Sequence, residues 1–137
     1  CRFSRLSDDY SITTADHITG EPMKYLCLVY ANENELHSLP DSPQDSECMA
    51  YATALHEAGV LVAGEALEPV RSATTVRVRN NELLITDGPF AETKEQLAGF
   101  YLIEAKDLNH AIRKAAGIPP ARVGSIEIRP VRELQVD

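Results

Sequence analysis

A chain of 137 residues with 44% hydrophobic and 25% charged residues has the size and balance of one globular domain around one core. Its formal net charge of −8, without a block of Lys and Arg, excludes the cation clusters that grip nucleic-acid phosphates. No stretch reaches the roughly 18 apolar residues of a membrane span, and Cys1, Cys27 and Cys48 form no C-x-x-C pair; these features predict a soluble, cytoplasmic protein with free thiols and no membrane partner.

Residues 1–22 are rich in Ser, Thr and Asp and keep no apolar period, and Gly20-Glu21-Pro22 reads as a turn. They are expected to be an appendage, either an N-terminal extension or a gene-start artefact, and the absence of Met before Cys1 favours processing or an artefact. The segment Met23–Ala31 is apolar on both alternating sets, Tyr25, Cys27 and Val29 against Leu26, Leu28 and Tyr30, which predicts a central strand covered on both faces. Ser42-Pro43-Gln44-Asp45 has the cap, first-turn proline and early acid of a helix start, so a helix is predicted over about 43–58. Its apolar stripe is Cys48, Met49, Ala52 and Leu55, and Gly59 is the expected terminator.

Leu61–Leu67 reads as a strand, and Thr74–Arg79 with Glu82–Thr86 as a hairpin across Asn80-Asn81, residues that tolerate positive φ. Thr93 and Gln96 have capping-box spacing, which predicts one helical turn before a strand over Gly99–Ala105. Asp107 is placed to cap a helix that ends near Ala116 at Gly117 and Pro119-Pro120, and Ser125–Val131 alternates as a last strand. Apart from the inserted hairpin, this order is the split βαβ, ferredoxin-like plan of an α+β domain. Both helices then lie on one sheet face, and the two-sided apolarity of the first strand asks for a cover on the other. A second copy of the same sheet supplies it, which predicts a symmetric homodimer.

Three segments carry a family resemblance: Met23–Tyr30, Glu57–Leu67 and, most specifically, Thr86–Tyr101 with its Asp87-Gly88-Pro89-Phe90 signature. Over residues 23–132, leaving 133–137 as a C-terminal tail, the chain resembles the YCII-related superfamily in its DGPF branch. The resemblance implies a dimeric α/β-barrel fold, a bacterial setting and a frequent genomic association with alternative sigma factors, without naming a substrate. Relatives thought to use a His–Asp pair carry the histidine early in the first helix. Cys48 stands there in this chain, while His56 matches a later histidine, which weakens the transfer of that mechanism.

Chemistry and architecture compete at each notable residue. In the DGPF turn, Asp87 can hydrogen-bond its own backbone, Gly88 can take a restricted conformation, Pro89 fixes φ and Phe90 can anchor the loop. A carboxylate held in a rigid loop also suits a general base, so Asp87 is a candidate catalytic residue, with Phe90 a candidate ligand contact. His56 complements the negative end of the first helix, and a catalytic role requires a carboxylate partner in Asp87 or Glu65. Glu65, on a strand otherwise built of small and apolar residues, is expected to be partly enclosed. Tyr25 and Tyr101 are candidate pocket hydroxyls, or else core tyrosines with satisfied hydroxyls. His17, His37, His56 and His110 show no metal-ligand spacing, and neither a phosphate-binding glycine loop nor G-x-S-x-G is present. The expectation is therefore no metal and no cofactor.

Two functions fit this pattern. One is a cofactor-free small-molecule enzyme with Asp87 or Glu65 as acid or base, assisted by His56 and Tyr101. The other, favoured because the early helix histidine is missing and the DGPF turn is explicable as architecture, is a small-ligand-binding or regulatory interaction module.

Overall fold

The computed structural model describes residues 23–36 and 38–134; the expected appendage 1–22, His37 and the end of the C-terminal tail lie outside them. Chain order is β1 (Met23–Ala31), α1 (Asp45–Glu57), β2 (Leu61–Ala66), β3 (Thr74–Arg79), β4 (Glu82–Asp87), β5 (Gln96–Ala105), α2 (Leu108–Ala116) and β6 (Ser125–Pro130), with short 3₁₀ turns at Val70–Ser72 and Pro119–Arg122.

Four strands form one sheet in the order β2-β5-β1-β6, and β3 and β4 form a separate two-stranded sheet. All pairings are antiparallel. With the hairpin set aside, the interleaved order and the two intervening helices are the ferredoxin-like α+β plan anticipated from the sequence.

Alternation along the central strands sorts the side chains. Tyr25, Cys27, Val29 and Ala31 of β1 and Ile103 and Ala105 of β5 are buried on the helix side, where Leu55 of α1, Ala111 and Ala115 of α2 and Ile118 complete the core. Ile103 is only 1% exposed, and burying such a side chain contributes about 1.5–3 kcal/mol. The opposite face presents Leu26, Leu28, Tyr30, Phe100 and Leu102, all half-buried. The strand is apolar on both sides, as the sequence indicated, and among the described residues no helix lies on one of those sides.

Local chemistry explains the helix ends. Asp107 accepts a hydrogen bond from the His110 backbone N–H at 2.8 Å, capping α2 as expected. The cap predicted for the first helix differs: Gln44 occupies the N-cap position without a side-chain bond, and the helix starts at Asp45. The Ser42 hydroxyl instead accepts from the Leu39 N–H and donates to the Glu35 carbonyl, so it stabilises the preceding loop. The helix then ends before Gly59, whose φ of 77° suits glycine.

Asn80 and Asn81, at φ 52° and 65°, make the two-residue hairpin turn as anticipated. The helical turn expected at Thr93–Gln96 does not form. The Thr93 hydroxyl donates to the Glu95 carbonyl, the Gln96 amide donates to the Thr93 carbonyl, and Gln96 already opens β5. Pairing with β1 through Gln96↔Ala31 thus overrides the local capping pattern.

Candidate ligand-binding site

Between α1 and the β2–β5 side of the sheet lies a cavity of about 610 Å³. Its roof is the first half of α1, with Cys48, Met49 and Ala52; Leu36 and Pro43 of the preceding loop form one wall. The floor is Gly64 and Ala66 of β2 with Ala98, Gly99 and Tyr101 of β5, next to Val29 of β1.

The apolar stripe of α1 therefore has two uses. Leu55 enters the core at 4% exposure, whereas Met49, nearly two turns earlier, is 70% exposed and overhangs the cavity. The space exists because the strands beneath carry small residues, and close backbone approach demands some of them. A Cβ on Gly99 would lie 2.7 Å from the Glu65 carbonyl oxygen, and one on Gly64 would lie 3.2 Å from that of Phe100. The loop wall is pinned: the Glu33 N–H donates to the Gln96 side chain at 3.0 Å and the Glu33 carboxylate accepts from the Val70 N–H at 2.9 Å.

Strand register decides which candidates can meet. Tyr101 pairs with Cys27 on one side and Gly64 on the other, so its side chain stands on the helix-covered face. Its hydroxyl has no hydrogen-bond partner among the described residues. Burial, with the nearby Cys48 and Tyr51, pushes Tyr101 up to about 12. Cys48 is likewise held above the ordinary thiol range, by burial and then by Asp45 and Glu47. Both groups stay neutral at physiological pH, as donors and not as nucleophiles.

Glu65 pairs with Phe100, one residue out of phase with Tyr101, and this register sends its side chain towards the uncovered face. It lines the cavity where the edge strand meets solvent, and it is exposed rather than enclosed, because among the described residues β2 has no further strand beyond it. His56 is an exposed residue in the last turn of α1 and does not line the cavity.

Asp87 is exposed at the end of β4, paired with Thr74, also away from the cavity; its carboxylate has no hydrogen bond or ion pair among the described residues. The turn beside it is held by backbone: the Gly88 N–H donates to the Ala73 carbonyl at 2.7 Å and the Thr75 hydroxyl donates to the Gly88 carbonyl at 2.8 Å. Gly88 has a φ of 108°, a conformation that favours glycine. Phe90 does not anchor this turn in the chain's own core, since it is 78% exposed.

Tyr25 is a core residue at 3% exposure and does not line the cavity. Of the six candidate site residues, then, the cavity brings together Tyr101 and the edge of Glu65, and adds Cys48 and Asp45, which sequence reasoning had not assigned to a site. The run of small residues Ala63-Gly64 and Ala98-Gly99 opposite a helix stripe was the available signal. No group of three His, Cys, Asp or Glu side chains among the described residues could hold a metal ion, and none of their helices is long and apolar enough to cross a membrane.

The family model for the YCII-related domain matches residues 23–135 of this chain. The chain belongs to the YCII-related family. It is also similar to an uncharacterised protein of Rhizobium meliloti (strain 1021), 38% identical over 115 residues that cover 80% of this chain and 92% of that protein. The matched region of this YCII-related domain begins at the first residue of β1 and takes in both the cavity and the hairpin.

Proposed function

We propose that this YCII-related domain binds a small organic molecule in the cavity beneath α1, and that the DGPF turn is architecture instead of a reaction centre. The observation that carries this reading is the Tyr101 hydroxyl, a half-buried donor without a partner among the described residues, on the floor of a largely apolar cavity of about 610 Å³. Ligand sites are commonly concave, of about 300–1,000 Å³, and mainly apolar with a few polar groups. Asp87, His56 and Glu65 supply no convergent acid–base set: Asp87 and His56 stand outside the cavity, and Glu65 lines only its exposed edge.

A thermal-shift screen of metabolites on wild type, Ala52→Phe and Asp87→Asn tests the proposal. A stabilising compound is expected to lose its effect in Ala52→Phe, which fills the cavity, and to keep it in Asp87→Asn. Loss in Asp87→Asn with retention in Ala52→Phe would restore the catalytic reading.

The same proposal includes assembly. The apolar sheet face and the β3–β4 hairpin, with Val76, Val78, Leu83 and Ile85 between 58% and 62% exposed, favour a homodimer in which a second copy covers them. The resemblance to the DGPF branch makes a regulatory setting beside an alternative sigma factor the natural use of such a ligand-sensing dimer. Sedimentation that gave a monomer at micromolar concentration would remove the dimer from this account.

A further inference from the structure

Given that the cavity is a ligand site, its lining restricts what enters. Among the described residues, neither Lys, Arg nor His lines the cavity; the charged lining residues are Asp45 and Glu65. The cation whose charge reaches Cys48 is Arg122, and it is committed elsewhere, to Glu47 at 2.5 Å and to Asp41 at 3.6 Å. A carboxylate or phosphate drawn beneath α1 would meet no cationic side chain among the described lining residues and would face the carboxylates of Asp45 and Glu65, which is unfavourable. Two neutral side chains among the described lining residues can meet a polar ligand atom, through the Tyr101 hydroxyl and the Cys48 thiol. The thiol is a weak donor and a weak acceptor, so the hydroxyl is the stronger anchor. Because burial holds Tyr101 at about 12, the phenol remains a donor across the physiological range.

We propose that the ligand of this cavity is a largely apolar, non-anionic small molecule carrying a carbonyl or ether oxygen that accepts a hydrogen bond from Tyr101. Its apolar body lies against Val29, Leu36, Met49 and Ala52, and a cationic substituent is compatible only at the mouth, beside Asp45. The lining thus selects by an acceptor oxygen and by the absence of negative charge, without any residue of the DGPF turn.

Three probes of one shape test this: methyl naphthyl ketone, its isopropenyl isostere without the oxygen, and naphthoate, each competed against the neutral dye Nile red. In wild type the ketone is expected to bind about fivefold more tightly than the isostere. Naphthoate should be weaker than the ketone by on the order of tenfold or more. Tyr101→Phe should abolish the advantage of the ketone and leave the isostere unchanged. Equal binding of ketone and isostere, an advantage that survives Tyr101→Phe, or naphthoate as tight as the ketone would each overturn the ligand class while leaving the cavity as a ligand site. Failure of the dye and all three probes to bind would overturn the site itself, and the class with it. If Tyr101→Phe does not fold, judged by circular dichroism, the wild-type comparison decides alone.

Discussion

The region beneath α1 and the β3–β4 hairpin are both conspicuous in the sequence, but they solve opposite physical problems. Beneath α1, small residues and a fixed loop leave a solvent-open space beside the core, lined in part by Tyr101. In the hairpin, large apolar residues are set on a two-stranded ribbon that leaves them mostly exposed among the described residues. A two-stranded hairpin is marginal by itself, so its apolar face speaks of assembly, whereas an unfilled space beside a core speaks of binding. The most recognisable motif, Asp87–Phe90, belongs to the hairpin side of this division.

Core truncation should expose the contrast most strongly. Ile103→Ala is expected to cost about 3–4 kcal/mol in chemical denaturation, whereas Ile85→Ala, at a side chain 61% exposed, should change monomer stability by less than about 0.5 kcal/mol. If the hairpin face is a dimer contact, Ile85→Ala will instead weaken self-association, so a denaturation midpoint that depends on protein concentration is the sign to look for. Equal losses from the two substitutions at limiting dilution would erase the distinction between core and arm.

Glycine replacements come next. Gly99→Ala forces a Cβ against the Glu65 carbonyl and should part β5 from β2, costing about 2 kcal/mol. Gly88→Ala meets no atom within 4 Å and carries only the strain of φ 108°, about 1 kcal/mol. Urea titrations that ranked Gly88→Ala as the costlier would place more structural weight on the DGPF turn than its contacts suggest.

Tyr51 ties the two helices together: its hydroxyl donates to the Lys114 carbonyl at 2.6 Å, against the C-terminus of α2. Tyr51→Phe should cost about 1 kcal/mol, read as a lower melting temperature, with little effect on ligand affinity because Tyr51 does not line the cavity. A large change in affinity with unchanged stability would extend the site towards α2.

The smallest effect is one of pH. The His110 ring Nδ1 accepts from the Lys106 N–H at 3.0 Å, and burial, then Lys114 and Arg113, lowers its pKa below that of a free imidazole. The neutral ring is thus favoured in the folded state. As pH falls through the unfolded value the unfolded chain takes up this proton first, so stability contributed above about 6.5 is lost on acidification. His110→Gln should flatten that part of the stability profile, while a steeper profile would contradict the assignment.

Much of this architecture was legible because local chemistry and tertiary pairing agree. Asp107 caps α2, Asn80-Asn81 turns the hairpin, and the two-sided pattern of β1 places it inside the sheet. Where they disagree, pairing wins: Thr93 and Gln96 have the spacing of a helix start, yet β5 extends back to Gln96 to reach β1. The site was less legible because a cavity is made by what is missing. Glu65 looked enclosed among small neighbours, but those same small neighbours belong to an edge strand, and a bulge between Leu61 and Ala63 sets which of its residues face α1. Tyr101 could be named beforehand; that its hydroxyl has no partner among the described residues while that of Tyr51 has one depends on contacts with residues far along the chain.

The central claim is that ligand binding belongs to the space beneath α1 and not to the DGPF turn. Titration of the ¹⁵N-labelled protein with methyl naphthyl ketone, followed by amide chemical shifts, tests it most directly. The account predicts saturable shifts clustered at Cys48, Ala52, Gly64 and Tyr101, with residues 74–90 unmoved. Shifts centred on Asp87 and Gly88, with the residues beneath α1 silent, would contradict it.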